Sequence, residues 1–87
     1  LMKKLMLLIG QAEPDDTLNT MTELGLEFAI VSSETDIENA STEVTVETAD
    51  VNAFVQKVES IFVDQAYELE MLMAVIDIET GEPVFEQ

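Results

Sequence analysis

Residues 43–62, EVTVETADVNAFVQKVESIF, decide the fold of this chain. The first five alternate between polar and apolar side chains and place Val44 and Val46 on one face, which predicts a half-buried β-strand. Residues 48–50, TAD, then offer capping side chains, and apolar residues recur beyond them at helical spacing. This pattern predicts a strand that leads directly into an amphipathic helix. The predicted buried stripe of the helix is Val51, Phe54, Val55, Val58, Ile61 and Phe62, continued by Ala66 and Leu69.

The sequence on either side predicts four more strands and a second helix. Residues 5–9 (LMLLI) and the centre of residues 68–79 are apolar at consecutive positions, which is typical of strands buried on both faces. A short helix follows Pro14, and we expect an Asp cap at its start and a glycine, Gly25, at its end. The remaining predicted elements are a strand at residues 26–31, a loop at residues 32–42 and a short edge strand at residues 84–85.

The resulting order is β-α-β-β-α-β with a short C-terminal hairpin strand. This order matches the ferredoxin-like pattern, an α+β fold in which two helices cover one face of an antiparallel sheet. The length of 87 residues fits one core only, so residues 1–87 are expected to form a single acidic α/β domain.

The net charge of the chain limits the classes of partner that it can bind. Nineteen Asp and Glu residues face three lysines and no arginine, which gives a net charge of −16. Direct binding to DNA, RNA or an anionic membrane needs cations that this chain lacks, so these partners are not expected. A basic protein is the expected partner, because opposite charge accelerates association.

Two residue types that carry much of enzyme chemistry are missing. Without cysteine there is no disulfide and no thiolate ligand, and without histidine the usual general base and the commonest metal ligand are absent. We therefore expect a protein that is not an enzyme and that has no catalytic residue, cofactor or metal site. No segment has the roughly 18 apolar residues of a membrane helix, and a cytoplasmic location is expected.

The candidate binding surface is acidic. The predicted loop at residues 32–42 carries three acids and no cation, and the outward face of the strand after it is acidic as well. An aromatic residue near the end of the second helix is a candidate interface anchor, although it can instead fold under the sheet edge. The predicted partner-binding residues are Glu34, Asp36, Glu38, Glu43, Glu47 and Tyr67.

Two functions follow from these features. The first is an inhibitory protein that mimics the charge of nucleic acid and occupies a basic, nucleic-acid-binding protein, in the manner of small acidic proteins made by phages and mobile elements. The alternative is a ferredoxin-like regulatory or adaptor domain whose acidity serves solubility only. For either function the sequence also predicts a homodimer, which would bury the apolar outer faces of the first and fourth strands, because large apolar patches are rare on monomers.

Overall fold

The computed structural model describes all residues, Leu1–Gln87, and contains two α-helices and a five-stranded sheet. Every strand pairing is antiparallel, and the strand order is β2-β3-β1-β4-β5. This topology confirms the α+β, ferredoxin-like prediction. The elements are β1 (Lys3–Ile9), α1 (Asp15–Glu23), β2 (Ala29–Asp36), β3 (Ser41–Thr48), α2 (Val51–Gln65), a 3-10 helix (Ala66–Leu69), β4 (Leu72–Asp77) and β5 (Pro83–Glu86).

The core lies between the helices and one face of the sheet. Leu5, Leu7 and Ile9 alternate along β1 and are fully buried. In the register, Leu5 is opposite Val46 and Leu7 is opposite Val44, so β3 contributes its apolar side to the same face. The helices close this face, and their members of the core are Leu18, Met21, Phe54, Val58 and Ile61.

The second helix begins where the sequence predicts. The Asp50 carboxylate accepts a hydrogen bond from the Ala53 backbone N–H at 3.0 Å and thereby caps the first turn. The predicted stripe is buried at Phe54, Val58 and Ile61. Of the two residues predicted to continue the stripe, Leu69 is fully buried, whereas Ala66 is exposed where α2 gives way to the 3-10 helix.

The first helix ends as predicted but begins differently. Gly25 has a φ of +96°, and the N–H of Leu26 donates to the carbonyl of Met21 at 3.0 Å, which satisfies the helix end. No side chain caps the start, where Pro14 precedes the helix, so the predicted Asp cap is wrong. Asp15 and Asp16 lie one and two positions too late to cap, and their charges in the first turn interact favourably with the helix dipole instead.

The predicted loop at residues 32–42 is wrong. Most of it belongs to a β-hairpin, because β2 runs from Ala29 to Asp36 and β3 begins at Ser41. The predicted strand at residues 26–31 is correspondingly placed too early, and only its last three residues belong to β2. All eight residues of β2 are exposed. A strand with no buried face has no alternation of apolar residues, so the periodicity that reveals β3 cannot reveal β2.

The hairpin turn also lacks the usual sequence features. Its four residues, 37–40, contain no glycine, and Ala40 takes the left-handed conformation with a φ of +50°. Asp36 stabilises the turn instead: one carboxylate oxygen accepts from the Asn39 N–H at 3.1 Å and the other from the Asn39 side-chain amide at 2.7 Å. Beyond the turn, the buried Thr42 hydroxyl donates to the carbonyl of Gln11 at 2.8 Å and ties the hairpin to the loop after β1.

Candidate functional site: the acidic hairpin

Five of the six predicted binding residues lie on the β2–β3 hairpin. Glu34 and Asp36 are on β2, Glu38 is in the turn, and Glu43 and Glu47 are on β3. We call these five residues the acidic hairpin.

Three carboxylates of the acidic hairpin converge on one patch. The register places Glu34 directly opposite Glu43, and Asp36 opposite Ser41. Residues i and i+2 of a strand share a face about 6.6 Å apart, so all three acids lie on the same side of the hairpin. They line a shallow depression together with Thr35 and Ser41, and no hydrophobic residue contributes to it.

The patch lies on the face of the sheet that the helices leave open. Thr42, between Ser41 and Glu43, points into the protein and is fully buried, whereas Glu43 is exposed. Glu47 lies on the same open face, four residues along β3. The register places it opposite Lys4 of β1 on one side and Ala29 of β2 on the other.

Glu34, Asp36 and Glu43 have no cationic partner. The chain forms one ion pair within 4 Å, between Lys3 Nζ and Glu79 Oε1 at 3.6 Å. The lysines on β1 lie at the far end of β3 from the turn, next to Glu47 and Thr48. Like charges directly opposite each other on a sheet destabilise it, so the Glu34–Glu43 pair is a local cost to folding.

The hairpin turn favours the ionised form of Asp36. The hydrogen bond from the Asn39 side-chain amide lowers the pKa of Asp36, and the Asn39 backbone N–H acts in the same direction. Both donors favour the ionised carboxylate. Because the folded pKa lies below the unfolded one, this stabilisation is present above the unfolded pKa and is lost as the pH falls through the lowered folded value.

We expect Asn39→Ala to raise the pKa of Asp36 toward its ordinary value, because the side-chain amide that donates to the Asp36 carboxylate is removed. A carboxyl NMR titration of Asp36 measures the change. Asn52→Ala, an exposed asparagine on α2, is the control and should leave the titration unaltered. An unchanged pKa in Asn39→Ala would mean that the turn does not hold the carboxylate in solution.

Tyr67 lies apart from the acidic hairpin. It belongs to the 3-10 helix, on the helical side of the sheet, and 71% of its surface is exposed. It borders a groove against α1 that is lined in part by Asp16, Thr20 and Glu70. The structure therefore shows an exposed tyrosine and not one folded under the sheet edge, but Tyr67 does not line the depression formed by the hairpin acids.

An apolar strip lies beside the acidic hairpin on the open face. Met6 and Leu8 are the β1 residues between the buried ones, and the register pairs Met6 with Ile76 and Leu8 with Ala74. Ala74 is also opposite Glu86 of β5. One row therefore crosses the whole sheet from acid through apolar side chains to acid: Glu34, Glu43, Leu8, Ala74 and Glu86.

A second cleft, which the sequence does not indicate, lies at the opposite end of β3 from the turn. It has a volume of about 280 Å³ and is lined by residues that include Leu26, Phe54 and Lys57. It forms where the end of α1 meets the start of α2. Only the packing of two segments that are distant in sequence creates it, so no local pattern could have predicted it.

No group of three or more carboxylates is arranged to hold a metal ion. No helix combines the length and the apolar character that crossing a membrane requires. Comparison with known proteins finds no match: no family model, no curated protein and no solved structure is significantly similar to this chain.

Proposed function

We propose that this chain is a small acidic binding protein that occupies, and thereby inhibits, a basic nucleic-acid-binding protein. The observation that carries the proposal is the convergence of Glu34, Asp36 and Glu43 on the open sheet face without a lysine partner. A cleft that binds phosphates presents lysine and arginine side chains, and these cations can pair with unpaired carboxylates on a folded surface. The chain would act as a nucleic-acid mimic and not as an enzyme.

The overall charge supports this proposal. A net charge of −16 on 87 residues gives a field that attracts a basic partner before contact. Nucleic acid itself and anionic lipid would be repelled by the same field, so neither is a direct partner in this proposal.

The arrangement of charge and apolar surface supports it further. Protein interfaces commonly have an apolar centre and a polar rim. Here Leu8 and Ala74 lie between Glu43 on one side and Glu86 on the other. A partner with a basic rim and an apolar centre would complement this face in both respects.

The apolar strip favours a second candidate, a homodimeric regulatory or adaptor domain. Met6, Leu8 and Ile76 are only partly buried on a face that neither helix covers. A second copy could bury them, although the flanking Glu43 and Glu86 of the two copies would repel each other.

Sedimentation at micromolar concentration tests the homodimer. We expect the dimer fraction to rise with ionic strength, because salt screens the repulsion between two chains of charge −16. Met6→Glu places a further charge in the strip and should abolish the dimer, whereas Val63→Glu on the exposed side of α2 should not. A clean 9.6 kDa monomer at all salt concentrations would exclude the homodimer.

Affinity capture from a cell lysate at low and high salt tests the main proposal. The captured protein should be basic, should elute as the salt concentration rises, and should lose its nucleic acid when this chain is added. Salt acts on partner binding and on self-association in opposite directions, which separates the two candidates. Capture that persists in high salt, or a captured protein that retains its nucleic acid, would contradict the mimic.

A further inference from the structure

The two edges of the sheet differ in how they are protected against pairing with another strand. Exposed edges present unpaired backbone groups, and proteins blunt them with short strands, prolines or charges. β5 has only four residues and begins with Pro83. β2 has eight residues, contains no proline and no lysine, and is exposed along its whole length.

β2 has two features that prevent a second copy from pairing with it. The register shift between Ile30 and Ser32 makes a bulge at Val31. This bulge interrupts the regular backbone spacing that another strand would need to pair with the first part of β2. In the remaining part, residues 32–36, Glu34 and Asp36 would face carboxylates of the other copy. With no cation on the strand, that pairing brings together like charges only.

The same charges favour a different occupant. We propose that residues 32–36 of β2 accept an extended basic segment of the partner as a sixth strand, an inference that rests on the proposed function. Backbone hydrogen bonds join the segment to the edge, as in other cases of strand addition. Lysine or arginine at alternate positions of the segment lies beside Glu34 and Asp36 on the open face.

The side chains of β2 fit this alternation. Glu34 and Asp36 occupy one face of residues 32–36, while Ser33 and Thr35 occupy the other and accept small polar neighbours. Glu43 lies one strand further in, opposite Glu34, within reach of a long basic side chain. Basic, flexible arms are common in proteins that bind nucleic acid, so the expected partner class supplies such a segment.

The test uses the full chain and a synthetic peptide, acetyl-(Lys-Thr)4-amide, at low salt. Backbone NMR shifts and amide exchange of residues 32–36 should change on binding, and those of the other edge, Pro83–Glu86, should not. Two further peptides carry N-methyl groups on all lysines or on all threonines. Only one set of backbone N–H groups faces the edge, so one of these peptides should bind about tenfold or more weaker than the parent.

Paired variants separate charge from strand addition. The variant E34Q should weaken binding between about 1.4-fold and 5-fold, from the loss of one cross-strand charge pair, while E86Q on the other edge should have no effect. Equal binding of all three peptides would overturn strand addition and leave the charge-driven proposal standing. If none of the peptides binds at low salt, strand addition is overturned, and the capture experiment alone decides the proposed function.

Discussion

Replacement of Phe54 by alanine should lower the free energy of unfolding by about 3–5 kcal/mol, the usual loss for a large aromatic side chain in a core. Phe54 is only 4% exposed and packs edge-to-face against Phe28 with ring centroids 6.2 Å apart. Small domains have a total stability of about 5–15 kcal/mol, so the variant should unfold at much lower urea concentration. Urea denaturation followed by circular dichroism measures the change.

Two further variants on the same helix provide comparisons for the loss of stability in Phe54→Ala. Val63→Ala removes a side chain that is 83% exposed and should change the stability by less than about 0.5 kcal/mol. Phe62→Ala should fall between the two, because Phe62 is half-buried and packs against Phe85 of β5 in a tilted arrangement with ring centroids 4.9 Å apart. A Phe54→Ala variant as stable as Val63→Ala would contradict the packing of α2 against the sheet.

The parts of the fold that the sequence predicted are those in which one face is buried and the other is not. Val44 and Val46 alternate with polar residues, and α2 repeats its apolar residues every three or four positions. The local spacing of apolar residues therefore predicts which side chains are buried. The two-sided apolar character of β1 was also informative. It predicted that the first and fourth strands carry apolar side chains on a sheet face that the helices do not cover, and the residues on that face are Met6, Leu8 and Ile76.

The candidate site was predicted in its residues but not in its form. Glu34 and Asp36 were assigned to a loop because no side chain of β2 is buried on either face. The pairing of β2 with β3 therefore produces no alternation of apolar residues in the sequence. The direct opposition of Glu34 and Glu43 depends on the register and on a turn that uses Ala40 at positive φ. Neither can be read from local sequence. Tyr67 was predicted as an anchor, and only the path of the 3-10 helix shows that it lies away from the hairpin acids.

Neutralising the acidic hairpin should slow capture of the basic partner by about tenfold or more at low salt, because electrostatic steering accelerates association by about 10- to 1,000-fold. The variant carries Gln at four positions and keeps Asp36, which holds the turn through Asn39. It should fold as well as the parent, since it relieves the repulsion between Glu34 and Glu43. The replaced residues are Glu34, Glu38, Glu43 and Glu47.

A matched control removes an equal number of negative charges, four, from exposed positions outside the hairpin. The control replaces Glu13, Glu23, Glu59 and Asp64 by the corresponding amides. The association and dissociation rates of the partner isolated by affinity capture are then measured from low to physiological salt. The hairpin variant should lose more association rate than the control at low salt, and the difference should shrink as salt screens charges beyond about 10 Å. If both variants slow association equally, net charge alone attracts the partner, and the contact surface lies elsewhere, with the groove beside Tyr67 the next candidate.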